Sequence, residues 1–163
     1  ESADEKLLRE LFDRLNTDEE SPLHNKLSAA QSASGKLSRT AFNTAVSRVL
    51  KGDSLRRLSS MDKQYELILK FLRAFHAEIA DKSLLIKRHF ISAIFDLFDE
   101  IVKKAKKELG AVTIDSLQIV ISPLCNLPED RLPKTQKRES LVDVMRSMLN
   151  SDTNIEDDDI SNS

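Results

Sequence analysis

The sequence predicts an all-α fold: a six- or seven-helix antiparallel bundle, or a stack of helical hairpins, followed by a disordered acidic C-terminal tail. Three observations lead there. Apolar residues recur at spacings of three and four along most of the first 150 residues, as on helices with one buried face. Only three glycines and four prolines punctuate 163 residues, fewer turn signals than a β-rich domain of this size needs. Strict alternation is confined to 112–114 and 119–121, too short to carry a sheet.

Each element has its own signal. Ser2 and Glu5 stand at capping-box spacing before Leu7, Leu8, Leu11, Phe12 and Leu15, which predicts a helix over 3–16. Ser21 and Pro22 resemble an N-cap with proline at the first helical position, with Leu23 and Leu27 as a short stripe before the small-residue run 28–35. Segment 17–37 is a candidate mobile segment of the domain. Ser38 opens a clearer helix with Phe42, Ala45, Val46, Val49 and Leu50 on one face, and Gly52 is placed to end it in a left-handed conformation. Ser59 and Asp62 repeat the capping spacing before the stripe Tyr65, Ile68, Leu69, Leu72, Phe75 and Ile79. After a break at 81–83, one long helix over 84–109 is expected. Phe90 and Leu97 widen its apolar stripe past half its girth, so it should lie centrally, with Gly110 as its stop. Thr113 should cap a segment carrying Ile114, Leu117, Val120 and Ile121 that Pro123 ends. The run 126–137, with Pro128 and Pro133, reads as a loop, and a last helix over 138–149 carries Leu141, Val144, Met145, Met148 and Leu149. Residues 151–163 hold too few apolar side chains to fold alone, so the domain is expected to cover 1–150.

Composition narrows the function. The single cysteine, Cys125, allows no internal disulfide, and no basic start precedes an apolar run. The chain opens on Glu1 rather than Met, as part of a larger protein would. These features place it in the cytoplasm or nucleus, away from membranes. The net charge of -2 hides a segregation: residues 1–20 carry eight acids and three bases, and 151–163 carry five acids and no base. The interval 21–150 then holds 25 - 3 = 22 bases against 27 - 8 - 5 = 14 acids, a net of +8.

Catalytic patterns are missing. His24, His76 and His89 lack the i, i+4 spacing of paired metal ligands, Cys125 has no histidine nearby in sequence, and the glycines are isolated. Asp96, Asp99 and Glu100 could cluster on one helical face, but Lys103 and Lys104 four residues beyond Asp99 and Glu100 account for them as ion pairs. No cofactor and no metal are expected. Gly35 and Leu37 sit within 30–42 where a turn glycine and a pairing hydrophobe would be, so that stretch resembles an EF-hand loop. Ala30, Ser32, Ser34 and Ala41 fill its carboxylate positions, which implies a frame that does not bind calcium. Leu117, Val120 and Pro123, within 113–123, are similar to a segment late in Rho GTPase-activating domains. That likeness implies GTPase binding without catalysis, since the family's arginine motif is not recognisable here.

Charge supplies the binding candidates. Lys103, Lys104, Lys106 and Lys107 form one basic cluster, and Lys134, Lys137 and Arg138 a second; both suit an acidic partner, although cations at a helix C-terminus also answer its dipole. Arg56, Arg57, Leu58 and Ser59 fit a basophilic kinase site, with Ser59 the expected N-cap, and Thr153 with Glu156 fits an acidophilic one. The expected function is a non-enzymatic adaptor or scaffold domain. A groove between its helices would receive a partner's helix or peptide, tuned by the acidic tail. The alternatives are nucleic-acid or chromatin-associated binding by the basic middle, and a degenerate GTPase-binding domain.

Overall fold

A computed structural model describes residues 1–30, 33–125 and 141–150. The fold is all-α. Its helices are α1 (Ala3–Thr17), α2 (Arg39–Leu50), α3 (Met61–Glu78), α4 (Arg88–Asp96), α5 (Phe98–Leu109) and α6 (Ile114–Cys125), with a helical run over 141–150, here α7. A short 3-10 helix, Lys82–Ile86, joins α3 to α4. α3 packs most extensively against α6 and α2 against α4, and one continuous hydrophobic cluster runs from Leu11 to Leu149. Among the described residues no single helix is long and apolar enough to cross a membrane.

The expected caps form where short polar side chains can satisfy the first free backbone N–H groups. Ser2 Oγ accepts the Glu5 N–H at 3.1 Å, and Ser38 Oγ accepts the Ala41 N–H at 3.2 Å. Thr113 and Ser116 cap one another: Thr113 Oγ1 accepts the Ser116 N–H at 3.0 Å, and Ser116 Oγ accepts the Thr113 N–H at 2.9 Å. At α3 the cap is Ser60, whose Oγ accepts the Lys63 N–H at 3.2 Å, so Ser59 lies one residue outside the helix. Gly110 ends α5 at φ 81°, and the chain turns through 117° into α6.

Several elements depart from the pattern. No helix follows Ser21. Its hydroxyl accepts the Leu23 N–H at 3.0 Å and closes a turn, after which Leu27–Ser28 (β1) pairs with Leu37–Ser38 (β2) in a two-residue ladder. Leu23, Leu27 and Leu37 are all buried, so a stripe too short for a helix is used by a looped segment instead. The expected helix over 84–109 is broken at Leu97 (φ -94°, ψ 4°), between α4 and α5. Neither proline nor glycine marks the break, and Leu97 is itself fully buried. Pro123 does not stop α6 but sits within its last turns. In α7 the buried face is Val142, Met145 and Leu149, with Leu141, Val144 and Met148 half-buried.

Two tertiary ties position the bundle. Tyr65 Oη donates to Asp18 Oδ2 at 2.7 Å and joins the end of α1 to α3, while the Arg14 guanidinium lies 4.0 Å from the Tyr65 ring centroid and pairs with Asp62 at 2.8 Å. The second tie explains Gly52, which is not left-handed, as positive φ among the described residues occurs at Asn25, Gly35 and Gly110. A Cβ at Gly52 would lie 1.5 Å from Asp99 Oδ2. The Asp99 carboxylate rests on this turn, where its Oδ1 accepts the Ser54 N–H at 3.3 Å.

Gly52→Ala should therefore lower unfolding stability by about 1–3 kcal/mol in urea titrations, through overpacking and loss of the Asp99 contact. In an Asp99→Ala background the same change should be neutral or slightly stabilising, because alanine restricts the unfolded chain. Asp18 supplies a pH signature. The hydrogen bond from Tyr65, and then that from the Glu20 N–H, hold its carboxyl below the usual range. A folded pKa below the unfolded one stabilises above about pH 4 and is lost as pH falls through the depressed value. Tyr65→Phe should cost about 1 kcal/mol or less near pH 6, the carboxylate being partly exposed, and less still once the pH has fallen through that depressed value.

Candidate functional site: a basic-rimmed groove between two helices

The capping at Ser60 and the stop at Gly110 orient α3 and α5 so that stripes flanking their core faces look onto a shared groove of roughly 610 Å³. On α3 the stripe is Lys63, Leu67 and Lys70, at i, i+4 and i+7; on α5 it is Val102, Lys103, Lys106 and Lys107. The turn after α2 adds Arg57 and Leu58, and Val112 completes the apolar lining. Leu58, Leu67 and Val112 are half-buried and Val102 is buried, so the floor is apolar and only partly covered.

The rim carries Arg57, Lys63, Lys70, Lys103, Lys106 and Lys107 against one acid, Glu66, giving 6 - 1 = +5 along the lining. Asp53 tempers part of it, pairing with Lys103 at 3.2 Å and Arg57 at 3.6 Å. The bond from Lys103 is the main reason the Asp53 carboxyl is held below its usual range. Lys106 donates to the Gly110 carbonyl at 3.2 Å and so answers the helix terminus as well as the groove. Lys63, Lys70 and Lys107 have no ion-pair partner among the described residues.

The first expected lysine cluster is thus divided. Lys103, Lys106 and Lys107 face the groove, but Lys104 points to α7, where its ammonium donates to the Leu149 carbonyl at 2.8 Å and lies 3.9 Å from Glu108. Glu100 also turns to α7, accepting from Arg146 at 3.0 and 3.2 Å, and this bond raises the Arg146 pKa. The expected i, i+4 pairs are replaced by contacts between elements: Asp99 meets the Gly52 turn, Lys103 meets Asp53 and Glu100 meets Arg146. The acids therefore diverge, and no group that could hold a metal occurs among the described residues. Lys134, Lys137, Arg138 and Thr153 lie outside the described residues, as do the predicted loop and the acidic tail. In the sequence Arg57 stands out only within the kinase motif, and Lys63 and Lys70 do not stand out singly. The alternation of base and leucine at 63, 67 and 70 is a signal, but it acquires meaning only opposite α5.

Ser59 is exposed and adjoins Leu58 of the groove. The arginines before it are engaged in a turn, since Arg56 Nε donates to the Leu50 carbonyl at 2.6 Å and Arg57 pairs with Asp53. Among the described residues no entering helix stands directly before the stretch 30–42 that resembles an EF-hand loop. Gly35 has φ 74° and α2 starts beyond it, but turn and β1 stand where the entering helix would be. Within 113–123, Leu117 and Val120 are buried, leaving Ile119 61% exposed.

Comparison of the chain with family models, with curated proteins and with solved structures gives no match.

Burial pushes the Cys125 thiol up to about 12, helped by the nearby Glu78 carboxylate. At pH 8 almost none of it is thiolate, the reactive form. Labelling of the folded chain by a maleimide should be at least about 100-fold slower than labelling in 6 M urea. Equal rates would show an accessible thiolate.

Proposed function

We propose that this chain is a non-enzymatic helical protein-interaction domain, adaptor or scaffold in kind, whose α3/α5 groove takes an acidic helix or peptide with an apolar face from another protein. The carrying observation is the pairing of a partly covered apolar floor (Leu58, Leu67, Val102, Val112) with a rim of six bases and one acid. An amphipathic helix about 10 Å across, with acids flanking an apolar stripe, is complementary to it in both respects. The floor would supply affinity through buried area, and the rim speed and orientation of association. A cytoplasmic or nuclear protein fits this reading, as its single half-buried thiol needs no oxidising compartment.

Nucleic acid is the competing ligand for any basic surface. Against it, all seven phenylalanines and the one tyrosine are buried, so no aromatic platform is offered for stacking an unpaired base. Regulation at Ser59 belongs to the same reading: a phosphate there would add about -1.5 to -2 charge beside Arg57 and Lys63 and weaken the rim.

A fluorescein-labelled 18-residue helical peptide, with leucines on one face and glutamates flanking them, should bind the full chain saturably in anisotropy titrations. Lys63→Glu with Lys107→Glu, both exposed positions, should weaken binding about tenfold or more while leaving helical circular dichroism unchanged. Unchanged affinity would show that the groove is not the binding site. Tighter binding of a 20-base-pair DNA duplex than of the peptide at 0.15 M salt would favour the nucleic-acid reading.

A further inference from the structure

We infer that residues 151–163 of this same chain are an internal ligand of the α3/α5 groove, competing with the partner for it. The inference rests on the groove reading above and adds to it the regulation of that site. Three observations converge.

The first is chemical match. The segment carries Asp152, Glu156, Asp157, Asp158 and Asp159 with no base, and its only large apolar side chains are Ile155 and Ile160. It thus repeats within this chain the acids and apolar anchors that the groove's rim and floor select. The acids of residues 1–20 are partly committed elsewhere, Glu20 to Arg73 at 3.8 Å and Asp18 to Tyr65, whereas the groove's Lys63, Lys70 and Lys107 lack an ion-pair partner among the described residues.

The second is the point of departure. α7 is held against α5 by the Lys104 bond to the Leu149 carbonyl at 2.8 Å and by the Arg146–Glu100 pair at 2.9 Å. The chain therefore leaves Asn150 beside α5, and Lys103 and Lys107 stand on the next face of that helix.

The third is reach. Thirteen residues extend to about 40 Å, whereas α5 is about 18 Å long and about 10 Å across with its side chains. Only a few residues are needed to round α5, and the rest can lie along the groove. Tethering at such short range gives an effective concentration of millimolar order, enough for a segment of modest intrinsic affinity to occupy the site most of the time. A phosphate on Thr153 would add to the segment's charge and favour the occupied state.

The test uses the full chain and a variant with Asp152→Asn, Glu156→Gln, Asp157→Asn, Asp158→Asn and Asp159→Asn. The probe is the labelled acidic amphipathic peptide described above, titrated at 0.15 M salt. The variant should bind it about tenfold more tightly than the unaltered chain. Equal or weaker binding by the variant would overturn the internal ligand while leaving the groove reading standing, and no binding by either form would overturn both. A second measurement needs no variant. Carbodiimide coupling of the monomeric unaltered chain should join carboxylates of 151–163 to Lys63, Lys70, Lys103, Lys106 or Lys107. Coupling to other lysines alone, or none within the chain, would contradict the inference.

Discussion

The structure depends on Phe71. Its ring lies 5.1 Å from that of Phe75 on its own helix, 5.6 Å from Phe95 at the end of α4 and 4.8 Å from Phe98 at the start of α5. All four rings are buried. Each such pair adds about 0.5–1.5 kcal/mol beyond the area it covers, and together the contacts clamp α3 to both sides of the break at Leu97. The break lets the chain change direction without losing either contact. Because the rings fix the separation of α3 from α5, they also fix the distance between Leu67 and Val102 on the flanking stripes. The groove follows from the core.

Charge is arranged around that frame with a consistent division of labour. Bases on core-adjacent stripes are engaged between elements: Arg14 with Asp62, Arg146 with Glu100, and Lys104 with the end of α7. Those facing the groove are engaged only in part, through Asp53 and the Gly110 carbonyl. Exposed pairs of this kind contribute little to stability, about 0–1 kcal/mol each, so the concentration of bases on one rim is poorly explained by folding alone. The proposed docking of an acidic segment would account for it, and the run 151–163 carries five acids in the same molecule.

Much of the fold was legible because capping and helical spacing are local. Ser2, Ser38, Gly110 and Thr113 each do what their neighbours in sequence imply. The failures are tertiary. Nothing near Leu97 announces a break, since what holds it is burial on all sides. Gly52 looked like a left-handed stop, but its lack of a side chain serves the Asp99 carboxylate, which comes from a helix some 45 residues on. Leu23, Leu27 and Leu37 read as a weak helix or a mobile stretch because their burial depends on the loop they stand in. The site divides in the same way. Lys103, Lys106 and Lys107 share one helical face and can be found by counting, whereas Lys63, Lys70 and Arg57 join them only once α3 and α5 are packed. Lys104 could not be separated from its neighbours without α7.

The proposed function rests on the docking of an acidic, apolar-faced segment between α3 and α5. Backbone amide shift mapping of the isotope-labelled chain tests it most directly, during titration with an acidic amphipathic helical peptide. The largest perturbations are expected on Leu58, Leu67, Val102 and Val112 and their neighbours. Perturbations centred instead on Gln118, Ile119 and Ser122, on the exposed side of α6, or scattered without a focus, would contradict it.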